Sequence, residues 1–426
     1  MSMLEKISNH PLYIFPNFRK FFLADVLVAL AERSFAITFA WWIISQEGEN
    51  NIWLGILMSL EALPILILSP FIGPLIDRYN KKTCMFTGVM MQLLFVSIVG
   101  YLLYIDKLAF AALCGLSFLM SCFVPQFEDS VNASVGLLVD EDHLSRATAI
   151  QSSSIEFSNI FAAVISTSVI AAFGVLAAVG VNIFMYLAGA AFIYFIKADL
   201  SPQDNTEDSE DNEDEDDYIS ELKAGIHYIL GNKALISYCS IYALEIFFTI
   251  PIFILIPMLV KEVLHESVGW VAVFETSLSI GSVLMAFFMS FREEYRNFYR
   301  KYATSLLLIG LCMLGLAFSG NKYIMTAVIF FIGVLFAALM ALSFIMFQNV
   351  IPKEFKGRFF GIMSTIAAGM APVSYMWAGL ATDTWSIETV LTISGVGAFI
   401  LAGAMLNIPR LREHIGKEVK HENICS

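Results

Sequence analysis

Apolar residues along this chain come in blocks of about 20 separated by short polar stretches, and within a block they do not alternate. A helix rising about 1.5 Å per residue needs that length to cross a hydrocarbon slab about 30 Å thick. Uniformly apolar blocks favour helices over barrel strands, whose faces would alternate. The blocks predict spans at about 21–44, 53–76, 83–105, 108–127, 147–172 and 175–196, and, after a polar stretch, at about 235–260, 268–290, 302–319, 323–346, 359–380 and 386–407. The expected fold is an all-α membrane protein of twelve transmembrane helices in two six-helix bundles.

Composition agrees with this picture. Mean hydropathy is +0.72 and only 15% of residues are charged, where a soluble chain carries roughly a quarter. The N-terminus has no apolar stretch ending in a small-residue cleavage site, so no removable signal peptide is evident and the first span is expected to direct insertion. The six cysteines (84, 114, 122, 239, 312 and 425) show no CxxC or other paired spacing and read as small hydrophobes. No metal or cofactor is implied.

Charge sets the orientation. An even number of spans places both termini on one side, and the loops of that side hold 21 of the 25 Lys and Arg residues. The opposite side has Lys107, Lys261 and Lys322, and Arg33 lies inside a span. Both termini are therefore expected in the cytoplasm, with the chain in the bacterial inner membrane. Trp41, Trp42 and Trp53 fall where helices 1 and 2 should meet the outer interface.

Residues 204–217 carry ten Asp or Glu and no basic residue. Such a run repels itself and buries nothing, which predicts a disordered tether. The expected organisation is a bundle over 1–197, an acidic linker over 198–222, a bundle over 223–409 and a cytoplasmic tail over 410–426. GIHYILGNKA after the acidic run reads as a short surface helix. The halves echo one another: Val139 to His143 leads to Arg146, and Ile351 to Phe355 leads to Arg358, at an offset of 212. Duplicated bundles that rock around a central cavity fit this repeat.

The candidate chemistry lies in charges that lipid disfavours. Burying an ionised group in hydrocarbon costs several kcal/mol, so each such residue is a functional candidate. These are Asp25, Glu32 and Arg33 in helix 1, Glu61 in helix 2, Glu156 in helix 5, Glu245 in helix 7 and Glu275 in helix 8. Glu128 and Asp129 sit at the expected end of helix 4. Asp25, Glu128 and Asp129 also fit ordinary interfacial charges. Glu32 and Arg33 are adjacent and diverge by about 100° on the helix, so Arg33 is expected to pair across helices, with Glu61 or Glu156. One reading is a salt bridge that locks the bundle; the other is proton handling or substrate attraction, because a carboxyl changes its proton affinity between dry and charged surroundings. Glu156, amid Ser152, Ser153, Ser154 and Ser158, is expected to face a cavity. Glu245 precedes Pro251 and Pro257, which permit bending. Phe35, Phe39, Phe247, Phe248, Phe344, Met346 and Phe347 are candidates for an aromatic lining suited to a bulky amphiphile.

The loop between helices 2 and 3, Gly73-Pro74-Leu75-Ile76-Asp77-Arg78-Tyr79-Asn80-Lys81-Lys82, resembles the signature of the major facilitator superfamily. Asn80 stands where that signature has glycine, and Asn tolerates a left-handed turn. The resemblance implies a cytoplasmic gate of Gly73, Asp77, Arg78 and Lys82, with Arg146 and Arg358 at the mouths of helices 5 and 11. Ala31-Glu32-Arg33, Asn132-Ala133 through Arg146, and Phe347-Gln348 through Phe359 resemble the macrolide-efflux and enterobactin-exporter branch of drug:proton antiporters. That resemblance implies export of a small amphiphilic or siderophore-like compound by alternating access in exchange for protons, by a monomer. The glycine-proline element of antiporter helix 5 is missing, since 147–172 contains neither residue. Related branches carry lysophospholipids or ferrous iron. Enzyme motifs such as HExxH and GxSxG are absent, a channel leaves the repeat unexplained, and a net charge of -13 makes nucleic acid an implausible partner. A non-transporting membrane sensor is the alternative from another class.

Overall fold

The computed structural model describes residues 10–46, 51–201, 230–231, 233–290, 297–350 and 356–406, and among them no strand occurs. The acidic run, most of the expected surface helix, the turn at 351–355 and the tail lie outside the described residues. The chain divides into two compact units, Met1–Asp204 with His265–Thr276, and Asn205–Leu264 with Ser277–Ser426. Eleven helical stretches among the described residues are long and apolar enough to cross a membrane.

In the first unit a short turn, α1 (Pro11–Ile14), leads into α2 (Pro16–Ser45), α3 (Ile52–Arg78), α4 (Lys81–Tyr104), α5 (Phe110–Ser121), α6 (Val124–Leu138), α7 (Glu141–Phe173) and α8 (Val175–Tyr194). The expected first span falls in α2, which carries Asp25, Glu32 and Arg33 and is not one of the eleven. The expected fourth span is split after Ser121, and α6 resumes at Val124 with Pro125 in its first turn. A proline there lacks the N–H that would continue the helix and suits a fresh start. Helix α7 begins six residues before the expected span because Asp140 caps it, its side chain accepting from the His143 amide at 3.1 Å. Arg146 therefore sits inside the helix rather than ahead of it. Gly174, at φ 85°, ends α7 in a conformation that side chains resist.

Helix α2 packs against α7 and α8, and α8 also packs against α4. The α2–α7 contact is sewn by serines. Ser154 donates to Asp25 Oδ2 at 2.6 Å, Ser34 and Ser166 share a bond of 2.7 Å, and Ser158 reaches the Val26 carbonyl at 3.4 Å. These serines are buried, whereas Ser152 and Ser153 are exposed. The wet stretch expected to face a cavity thus gives one face to its own bundle.

The second unit contains α9 (Lys233–Thr249), α10 (Pro251–Met258) with a π turn at Leu259–Val263, the later part of α11 (Gly269–Ser290), α12 (Phe298–Ala317), α13 (Lys322–Val350), α14 (Lys356–Thr384) and α15 (Ile387–Leu406). The expected seventh span is interrupted at Ile250, where Pro251 opens a new helix. Two helix pairs meet backbone to backbone at glycines. A Cβ on Gly310 of α12 would lie 2.6 Å from the Gly395 carbonyl oxygen of α15, and one on Gly395 would lie 2.8 Å from that of Gly310. Gly281 of α11 and Gly333 of α13 are tighter still against Phe330 and Leu278 backbone. Small residues of this kind let membrane helices approach closely.

Replacing Gly310 by Ala should therefore lower stability by about 1–3 kcal/mol, because the obstructing atoms are backbone. Gly315→Ala on the same helix, where nothing lies within 4 Å of the added carbon, should be neutral or better. Thermal unfolding of the two variants in detergent checks the contrast.

Candidate functional site: charged side chains within the spans

The first unit gathers most of the intramembrane charge. Asp25, read from sequence as near a membrane edge, is buried between α2 and α7 and is held there by Ser154. About two turns further along α2, Glu32 is half-buried and Arg33 is exposed. Arg33 makes no ion pair within 4 Å among the described residues. It lies instead within electrostatic reach of Glu32, Glu61, Glu128 and Glu275. The sequence expectation of a partner in Glu61 or Glu156 is met only as proximity to Glu61. Glu156 is half-buried on α7 between exposed Ile155 and Phe157.

Glu61 on α3 is half-buried, with one carboxyl oxygen enclosed and close to the Cys114 thiol of α5. Glu128 lies early in α6, which restarts at Val124 after the break in the fourth span, and is within electrostatic reach of Arg33, Glu32 and Asp25. Pro125 was the visible signal for that break. Glu275 enters through the opening turns of α11, which belong to the first unit. One exposed guanidinium is thus shared among four carboxyl groups rather than locked to one. Such an arrangement leaves the cation free to stabilise whichever acid is ionised.

The second unit treats its acid differently. Glu245 on α9 is 1% exposed and accepts a hydrogen bond from the hydroxyl of Tyr302 on α12, itself wholly buried. Tyr238 and Tyr242 flank the same carboxyl, and the rings of Tyr238 and Tyr302 are 6.4 Å apart. Glu245, a candidate from sequence as a charge within a span, occupies the bundle interior. Sequence reading missed Tyr302; a lone tyrosine near a helix start reads as an interfacial anchor. The aromatic candidates also divide. Phe35, Phe39 and Met346 are core residues, Phe247 and Phe248 are half-buried, Phe344 is exposed, and the Phe347 side chain lies outside the described residues.

At the expected gate, Gly73 is half-buried, Arg78 and Arg146 are exposed, and the side chains of Asp77 and Arg358 lie outside the described residues. Lys82 donates to the Ile196 carbonyl at 2.6 Å and lies over the Tyr194 ring, 5.8 Å from its centroid. That bond satisfies a carbonyl just past the α8 end, the place where a cation is favoured. Asn80, a residue type that tolerates a left-handed turn, does not adopt one here. At φ -63° it caps α4, accepting from the Lys82 amide at 3.0 Å, and its amide donates to Ser201 at 2.9 Å. Asp199, just beyond α8, accepts from the Ser201 hydroxyl and backbone N–H, which hold its carboxyl below its ordinary pKa. The basic end of the loop thus braces the start of α4 against the segment after α8.

Tyr302→Phe should cost about 1–3 kcal/mol, the loss expected when a buried charged or polar group gives up a strong bond. Pairing it with Glu245→Gln should cost clearly less than the sum of the two single losses, since both remove one interaction. Unfolding midpoints of the four proteins in detergent give the cycle.

A family model described as Major Facilitator Superfamily matches residues 21–371. The uncharacterized MFS-type transporter YfiS of Bacillus subtilis is 24% identical over 381 residues, covering 86% of this chain and 85% of the relative. Macrolide efflux protein A of Streptococcus pyogenes is 20% identical over 361 residues, covering 83% and 86%. Among solved structures, the peptide transporter POT in complex with sulfate superposes with a TM-score of 0.74 at 12% identity, covering 97% of this chain and 99% of that one. At that identity the likeness concerns the fold.

Proposed function

We propose that this chain, which belongs to the Major Facilitator Superfamily, exports a small amphiphilic compound of the macrolide or siderophore kind, in exchange for protons and by alternating access. Membership makes it a multi-pass transport protein consistent with the bacterial inner membrane, and not an enzyme. The relatives named as macrolide efflux proteins support the substrate class. In this reading twelve spans form two six-helix bundles joined by the acidic linker, with domain limits at 197, 223 and 409 and both termini cytoplasmic, and the protein works as a monomer.

One observation carries the mechanism: Arg33 lies within reach of Glu32, Glu61, Glu128 and Glu275 without being fixed to any of them. A proton taken up by Glu32 or Glu61 removes one negative charge from that group and releases Arg33 toward the remaining acids. A cationic amphiphile entering the same field does the same work as the proton, so the two compete. Competition for one set of carboxyls is what exchange requires, and opening to alternate sides makes it directional. Glu156 and Glu275 would extend the field at its margins, and Glu245 would serve as a separate acid in the other bundle. Gly73, Asp77, Arg78, Lys82, Arg146 and Arg358 are assigned to closure of the cytoplasmic side.

The test uses sealed liposomes carrying the purified full chain and a pH-sensitive dye, challenged with macrolides, lipophilic cations, siderophores, lysophospholipids and ferrous iron. A macrolide or siderophore should evoke proton movement that Glu32→Gln or Glu61→Gln abolishes. Compound uptake without any proton signal overturns the exchange; a signal evoked by lysophospholipid or iron alone overturns the substrate class.

A further inference from the structure

Behind Glu32 and Glu61, the first unit contains neutral polar side chains that no lipid-facing or packing role explains. Gln92 on α4 and Tyr186 on α8 are 0% exposed and Asn182 on α8 is 1% exposed. The Gln92 amide lies near the Glu32 carboxyl, and neither of its polar atoms has a hydrogen-bond partner among the described residues. Tyr186 is within electrostatic reach of both Glu32 and Glu61, and Asn182 lies one helical turn before it on the same face. Close packing produces this convergence. Gly189 brings α8 against Val28 of α2, and Gly100 brings α4 against Val179 of α8.

Neither amide atom of Asn182 nor the Tyr186 hydroxyl has a protein partner among the described residues, and one oxygen each of Glu32 and Glu61 is likewise enclosed and unpartnered. Each buried polar group left unsatisfied costs about 1–3 kcal/mol. Native interiors resolve such a cost with an ordered guest making several hydrogen bonds. The chemistry of the lining selects the guest. It offers carboxyl, amide and phenol oxygens beside two acids, while the one guanidinium, Arg33, is on the exposed side of α2. The remaining charged or titratable groups within reach are Glu128, Asp25 and the Cys114 thiol. No group of three or more His, Cys, Asp or Glu with metal-binding spacing occurs among the described residues.

We propose that Gln92, Asn182 and Tyr186 form an internal socket, within the first unit, that holds a small monovalent cation against Glu32 and Glu61. The guest is a proton carried on water or an alkali ion; both are bound through oxygen, and both neutralise the acid pair from its inner side. The socket rests on the reading of Glu32 and Glu61 as the exchanging acids, and supplies what that reading lacks, a place for the coupling ion while substrate occupies the outer side.

Thermal unfolding of the purified full chain in detergent tests it, read across pH and in sodium chloride against choline chloride at equal ionic strength. For a proton, the wild-type midpoint depends on pH and not on sodium; for an alkali ion, sodium raises it over choline. In either case Tyr186→Phe and Asn182→Leu should remove at least about half of the response, and Tyr186→Phe deletes a single hydroxyl with no change in packing. Gln92→Glu, which keeps the oxygen, should retain cation binding, whereas Gln92→Leu should lose it. A response that Glu32→Gln abolishes but Tyr186→Phe and Asn182→Leu leave intact overturns the socket while sparing the exchanging acids. If the response and its loss in Tyr186→Phe persist but liposome exchange ignores Glu32→Gln, the ion site stands and only its coupling to export fails.

Discussion

Inside a lipid slab water is unavailable, so every polar group must find its partner within the protein. The whole architecture follows from that demand. The backbone meets it by running as helices through the described spans. Side chains meet it in three ways: serine hydroxyls turn back to carbonyls one helical turn earlier, Ser154 crosses to Asp25, and Tyr302 crosses to Glu245. Among the places where the demand is not met by protein, Glu32, Glu61, Asn182 and Tyr186 combine unpartnered atoms with ionisable groups, and charges of this kind within a span are functional candidates.

The two units handle charge by opposite means. The second encloses a single carboxyl among tyrosines, giving it a fixed neutral donor. The first spreads several carboxyls around one exposed cation that is paired with none of them among the described residues. A group with one dedicated partner has one preferred state, whereas acids sharing a cation have several states close in energy. The second arrangement suits a cycle in which ions and substrate replace each other.

Much of this was legible in the sequence because its physics is local. Span length and the charges within spans each depend on nearby residues alone. The superfamily signature was legible for the same reason. Partners were not. That Asp25 meets Ser154, 129 residues away, or that Glu245 meets Tyr302, depends on which helix faces which, and uniformly apolar spans carry little amphipathic pattern to reveal it. Local reading was also undecided where two local rules competed. Asn80 suits both a left-handed turn and a helix cap, and the cap won because Lys81 begins a helix directly after it. Pro125 and Pro251 were visible, but only the structure shows that each divides a span into two helices.

The glycine contacts of α12 with α15 bear on how the second unit can deform. Helices separated by long side chains can slide, because rotamers adjust and act as a compliant layer between them. At Gly310 and Gly395 that layer is missing, so shear would drive one carbonyl into the other main chain. The pair should behave as a stiff strut. Bending then falls to the elements with interrupted hydrogen bonding, above all the junction at Ile250 and the π turn beyond Pro257.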